Sequence, residues 1–169
     1  MATTSLLDRA LYRTRQLISA IRPHVTKTEL EAAHHTLGDD LIPLFTSMQP
    51  ADQRHCLDVF ERLLQDGSPD NQMLQAALIH DCGKGSLTGA NITLPDRVAF
   101  VLLAPFPGAI AKASRRPGIA ALRDHSQKTL ALARSYGAGD GVVSLIEEMD
   151  GLRTAGARGE ALKRADDLN

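Results

Sequence analysis

Apolar residues in this chain recur three and four positions apart almost everywhere and almost never alternate. That spacing restricts it to helices packed on helices. Leu6, Leu7, Ala10, Leu11, Leu17, Ile18 and Ile21 form a first stripe, which Pro23 stops. Thr28, with Glu29 and Glu31 in the opening turn, predicts a short helix up to Gly38, and Leu41 to Met48 a further piece before Pro50. Pro50-Ala51-Asp52 opens a strong helix with Leu57, Val59, Phe60, Leu63 and Leu64 inward, closed by Asp66-Gly67. Asp70 is a natural N-cap for the next helix, through Leu74, Ala77, Leu78 and Ile79 to Gly83. Gly83 to Asn91 is glycine-rich and polar and reads as a loop. Leu94 to Ala104 resumes helix, and Pro105, Pro107 and Pro117 break the next stretch into short pieces. Helices are expected again over Asp124 to Tyr136, Asp140 to Asp150 and Glu160 to Leu168. The expected fold is a single all-α bundle, with residues 1–49 as a helical extension packed on a core formed by residues 50–169.

The core of such a bundle must be aliphatic, because 43% of the residues are hydrophobic but only 4% are aromatic, with no Trp. A chain of 169 residues can bury roughly 70% of its unfolded surface and needs no disulfide or metal merely to fold. Nineteen Lys and Arg against twenty Asp and Glu leave a net charge of −1, which removes the electrostatic case for a general nucleic-acid binder. The few aromatics also provide no platform for stacking bases. Cys56 and Cys82 form no CxxC pair, so a reducing compartment is expected. The N-terminus lacks a signal-peptide h-region, and the longest apolar run, Val98 to Pro107, is shorter than the ~18 residues of a span. A cytoplasmic protein without a membrane partner is the expectation.

Against this core, the tripeptide Ile79-His80-Asp81 stands out, two polar residues at the end of an apolar helix. Such a pair is costly to bury unless it is satisfied. Metal ligation is one solution, since an imidazole and a carboxylate at one helix end can share a divalent cation. A helix-end His with an Asp bonded to a neighbouring side chain is the other. Three more residues favour the first. His55 precedes Val59 by one helical turn, His125 is placed at the opening of the Asp124 helix, and Asp166 follows Leu162 by one turn in the last helix. Four helices could each supply part of one hydrophilic centre, as helix bundles commonly do.

His55, the run ALIHDCGK with His80 and Asp81, and the late Asp166 in RADD together resemble the H…HD…D signature of the HD-domain metal-dependent phosphohydrolases. The variant His80-Asp81-Cys82-Gly83-Lys84 is one of its more specific forms, and the resemblance runs from about Ala51 to Asn169. It implies an HD domain over residues 50–169, with His55, His80, Asp81 and Asp166 as ligands of a divalent ion (Mn, Fe, Mg, Co, Ni or Zn) that activates water. It implies catalytic roles for Asp81, Lys84 and His125, and a small phosphorylated substrate such as a nucleotide. Arg54, Lys84 and Arg97 are then the candidate phosphate contacts. A homodimer is one option for the assembly. The alternative is a degenerate HD domain that binds a nucleotide or a partner without turnover.

One departure from the pattern concerns a second metal. Dinuclear HD proteins usually carry a further histidine where this chain reads Leu145-Ile146-Glu147-Glu148-Met149-Asp150. Glu148 or Asp150 could substitute as an oxygen ligand, or the second site has been lost. His24, His34 and His35 read as solvated helix-face or helix-end residues, Cys82 as a packing residue, and Arg115-Arg116 as a small surface patch.

Overall fold

The computed structural model describes residues 24–67, 69–89 and 91–169, so the first expected helix, Leu6 to Ile21, lies outside the described residues. The described chain is all-α: eight helices joined by turns and two short 3₁₀ segments, with no strand among the described residues. They are α1 (Lys27–Thr46), α2 (Pro50–Asp66), α3 (Asn71–Ile79), α4 (Leu94–Leu103), α5 (Pro107–Ala113), α6 (Pro117–Ser135), α7 (Asp140–Met149) and α8 (Ala157–Asp167). The 3₁₀ turns, Cys82–Lys84 and Ser86–Thr88, occupy the segment expected as plain loop.

α3 is the centre of the bundle. Met73, Ala76, Ala77, Leu78 and Ile79 are all buried, so this helix is apolar nearly all round and must be enclosed. α1, α2 and α7 pack around it, and α8 closes against α2 and α7. Asp70 caps α3 as expected, its Oδ1 accepting from Met73 N at 3.0 Å. The aliphatic core runs from Ala33 and Leu44 in α1 through Leu57 and Val59 in α2 to Ile146 in α7 and Leu162 in α8. α1 therefore shares one core with the segment after residue 49. A smaller cluster of Ile92, Ala121 and Leu122, with Phe100 against it, joins α4 to α6.

The two short helices expected before Pro50 are the two pieces of α1, which meet at a kink at Gly38, whose φ of 69° lies in the left-handed region that glycine adopts at least cost. Other expectations need correction. Leu64, expected inward, is half exposed. The next correction bears on the site. The helix expected to begin at Asp124 begins at Pro117, so His125 stands more than two turns inside α6 and does not open it. Proline at the first helical position lacks only an N–H that would be unpaired anyway, so Pro117 starts a helix rather than breaking one. Likewise α8 starts at Ala157, ahead of Glu160.

α1 is tied to α2 by charge. Thr26 and Glu29 form a capping box, and Glu29 also meets the Arg54 guanidinium, which bonds Asp58 and Glu61 as well. The Arg54 bond, with help from Thr26, holds the Glu29 carboxyl down at about 2. Its folded value is depressed, so its contribution is fully present above the ordinary 4.5 and is lost as pH falls towards about 2. Glu29→Gln is expected to flatten the dependence of stability on pH across that window. Urea unfolding midpoints of the two proteins, taken at several pH values there, check this, and parallel curves would contradict it.

Candidate metal centre

The end of α3 delivers the first two groups. The helix stops at Ile79, His80 is its C-cap, and Asp81 leads into the Cys82–Lys84 turn. Both side chains are buried, at 3% exposure each. His55 approaches from α2, and Asp166 from the last turn of α8. His55, His80 and Asp81 form a group that could hold a metal ion, each offering a ligand atom within 4.8 Å of the others. Asp166 Oδ1 lies 2.8 Å from His55 Nε2 and 3.5 Å from His80 Nε2, so it bridges the two imidazoles.

The donor chemistry of His80 tests whether a cation belongs here. Its Nδ1 lies 2.9 Å from the Ala77 carbonyl oxygen, which can only accept, so Nδ1 carries the proton. Nε2 is buried and makes no well-formed hydrogen bond, with Asp166 Oδ1 at 3.5 Å and Asp81 Oδ2 at 3.8 Å. Two carboxylates beside that nitrogen call for a positive charge there, a proton or a cation. A histidine whose second nitrogen is fixed by a backbone carbonyl is also the usual arrangement of a metal ligand. The residues fit a divalent ion.

The carboxylates favour a positive charge on His80 itself: burial opposes it, yet Cys56, Asp81 and Asp166 raise its titration well above the ordinary histidine value, and a metal ion would replace the added proton. Burial would also favour neutral Asp81, but Lys84 and the three neighbouring imidazoles hold it ionised, well below the usual carboxylate range. Asp166 behaves alike: burial is outweighed by its bonds to His55 and His80, and its value is lowered.

His125 joins the group from α6. Its Nδ1 donates to the Leu122 carbonyl at 2.7 Å, and its Nε2 faces Asp81 Oδ1 at 3.6 Å. Burial, reinforced by the nearby Lys84 cation, lowers its titration and favours the neutral ring. Lys84 Nζ bonds Asp81 Oδ2 at 2.6 Å, so its charge is spent on that carboxylate.

The two candidate arginines are placed differently. Arg54, beside His55 in sequence, turns to Glu29, Asp58 and Glu61, and the structure does not bring it to the group. Arg97 reaches in from α4 and clamps Asp52 with two bonds of 2.8 and 2.7 Å, while also bonding Gln49. It lies close enough to Asp81 to feel its charge, though burial works against it first. Arg97→Met would strand the Asp52 carboxylate, which is 2% exposed. The expected cost is about 2–3 kcal/mol, below the 3–5 of a fully buried pair because water reaches the arginine. Chemical denaturation of the variant measures it, and wild-type stability would show that the clamp is idle.

Two contributors are not evident from the sequence pattern. Asp52, one turn before Cys56, anchors α4 through Arg97. Its only signal is an acid on the inward side of a helix. Thr129, fully buried in α6, accepts from Gly83 N and donates to the His80 carbonyl, both at 2.9 Å, and so pins the turn after Asp81 to α6. Of the two oxygen ligands weighed for the missing histidine, Asp150 is the one near the centre. It caps α7, its Oδ2 is buried without a hydrogen-bond partner, and burial raises its titration while His125, His80 and Asp81 act on it from nearby. Glu148 is directed elsewhere, accepting from Gly156 N at 2.9 Å ahead of α8. Cys82 is packed as expected, and burial pushes its thiol up to about 12, too high for a nucleophile.

No protein-family model matches this chain, and no curated protein or solved structure gives a significant match to it.

Proposed function

We propose that this protein is a metal-dependent phosphohydrolase of the HD-domain type, acting on a nucleotide or another small phosphoester. The observation that carries this reading is the convergence of His55, His80 and Asp81 within 4.8 Å of one another, with Asp166 against both imidazoles. His55, His80, Asp81 and Asp166 would hold the divalent ion. Such an ion would supply Lewis acidity and make hydroxide available near neutral pH. The chain's own contribution is positioning and proton handling. The neutral His125, oriented by the Leu122 carbonyl, presents Nε2 as a proton acceptor at the edge of the group. Lys84 offsets the charge of Asp81.

Metal analysis of the untreated protein, followed by chelation and reloading, tests the first half of this reading. The expected result is about one divalent ion per chain and a lower melting temperature after chelation. Assays on nucleotides and generic phosphoesters with Mn, Mg, Fe, Co, Ni or Zn test the second. Protein that binds none of these ions removes the proposal.

A second reading, a degenerate HD domain that binds without turnover, has one observation in its favour. Lys84, Arg54 and Arg97, the three candidate phosphate contacts, all carry carboxylate partners. Nucleotide binding by the metal-loaded protein without cleavage selects this reading over the first.

A further inference from the structure

α4 and α5 are the least covered part of the described fold. Asp96 is the one buried residue of α4, and α5 has none. The inward side of α4 is already committed, with Arg97 on Asp52 and Phe100 against Ile92, Ala121 and Leu122. Its other side therefore faces out, and that side is apolar. Leu94, Val98, Val101 and Leu102 stand at i, i+4, i+7 and i+8 and are between 40% and 67% exposed. Phe106, in the turn to α5, is 62% exposed and prolongs the stripe. Contiguous exposed apolar surface of this kind marks an interaction site.

The charge around the stripe says what it meets. Between Leu94 and Gly118 the chain has four cations, Arg97, Lys112, Arg115 and Arg116, against the single carboxylate of Asp96, although the whole chain is at −1. Asp96 is buried and taken up by Thr93 and Arg116. Lys112 and Arg115 are exposed and have no carboxylate partner among the described residues. A second copy of the chain fits poorly, since an isologous contact sets these cations against their own copies. Residues 1–23 fit poorly too, because Arg9, Arg13, Arg15 and Arg22 outnumber Asp8. The partner that suits both the stripe and the cations is anionic at its surface and apolar beneath it.

We infer that the α4–α5 face binds the surface of an anionic phospholipid bilayer, its apolar stripe entering the headgroup boundary and Lys112 and Arg115 meeting lipid phosphates. No described helix is long and apolar enough to cross a membrane. A ridge lying in the interface is a different physical case and needs no such length.

Co-sedimentation of the full chain with vesicles tests the inference, using phosphatidylcholine alone and an equal mixture with phosphatidylglycerol. The mixed vesicles are expected to pellet roughly tenfold more protein than the neutral ones. Leu102→Asp with Phe106→Asp should abolish that binding, and Lys112→Ala with Arg115→Ala should weaken it on the order of tenfold. Circular dichroism and metal content should be unchanged in both variants, since none of these side chains is buried or near His80. Equal pelleting with both vesicle types, or with neither, overturns the inference. So does binding that survives Leu102→Asp with Phe106→Asp, or a dimer of the wild-type protein that this variant dissolves.

Discussion

Asp81→Asn is expected to strip the divalent ion from the protein and to end phosphoester cleavage. The substitution keeps the volume of the side chain but removes its charge, and an amide oxygen is a much weaker ligand. Loss of a mere supporting partner typically costs roughly 10–100-fold in metal affinity, and Asp81, placed within 4.8 Å of both histidine ligand atoms, should cost more. A second effect is separable. Asp81 Oδ2 is the ion-pair partner of Lys84 at 2.6 Å, so the variant also leaves a largely buried ammonium uncompensated. Asp81→Asn with Lys84→Met should therefore recover stability but not metal. Elemental analysis, turnover and thermal melts of the two variants measure the three quantities. Asp166→Asn is the companion variant should Asp81→Asn fail to fold. A folded Asp81→Asn protein with wild-type metal content and turnover would falsify the proposed centre.

Gly83→Ala is expected to be among the most damaging single-methyl changes available in this fold. A Cβ at Gly83 would collide with the His125 carbonyl oxygen and would lie 2.7 Å from Thr129 N and 2.8 Å from Thr129 Oγ1. Two of these atoms are backbone of α6, inside its hydrogen-bonded turns, so they cannot swing aside as a side chain would. Either the turn separates from α6, breaking the bonds of Thr129 to Gly83 and His80, or the helix shifts as a unit. The expected cost is about 3 kcal/mol or more, equivalent to a fall in melting temperature of roughly 6–12 °C for a domain of this size. Thr129→Ala should not rescue the variant, because the backbone clash remains. The site should suffer with the fold, since α6 also carries His125. Wild-type stability in Gly83→Ala would show that α6 does not lie on this turn.

Much of the fold was legible because helix signals are local. The stripe on α2, the Asp70 cap and the enclosed α3 follow from spacing and from short-range hydrogen bonds that sequence neighbours make. The same locality misled at Pro117, where one residue type serves both as a breaker and as a first helical residue, and the packing of α6 on the Cys82–Lys84 turn decided between them. The candidate centre was legible for a different reason. His80 and Asp81 are conspicuous at the end of an apolar helix, and the resemblance to the H…HD…D signature grouped them with His55 and Asp166.

Their convergence, and the surroundings they meet, depended on the tertiary structure. Arg54 and Arg97 look alike in the sequence, but α1 supplies Glu29 to the first and α2 supplies Asp52 to the second. Glu148 and Asp150 are two residues apart at the end of α7, and only the direction of each side chain sends one towards Gly156 and leaves the other beside the histidines. The sequence by itself determined that this protein is helical, aliphatic inside and endowed with a few polar residues too costly to bury without a purpose. The tertiary structure alone decided which charges meet, because an ion pair or a ligand set depends on distances of a few ångströms between segments up to 111 positions apart, as His55 and Asp166 are, and no local preference of the chain encodes those.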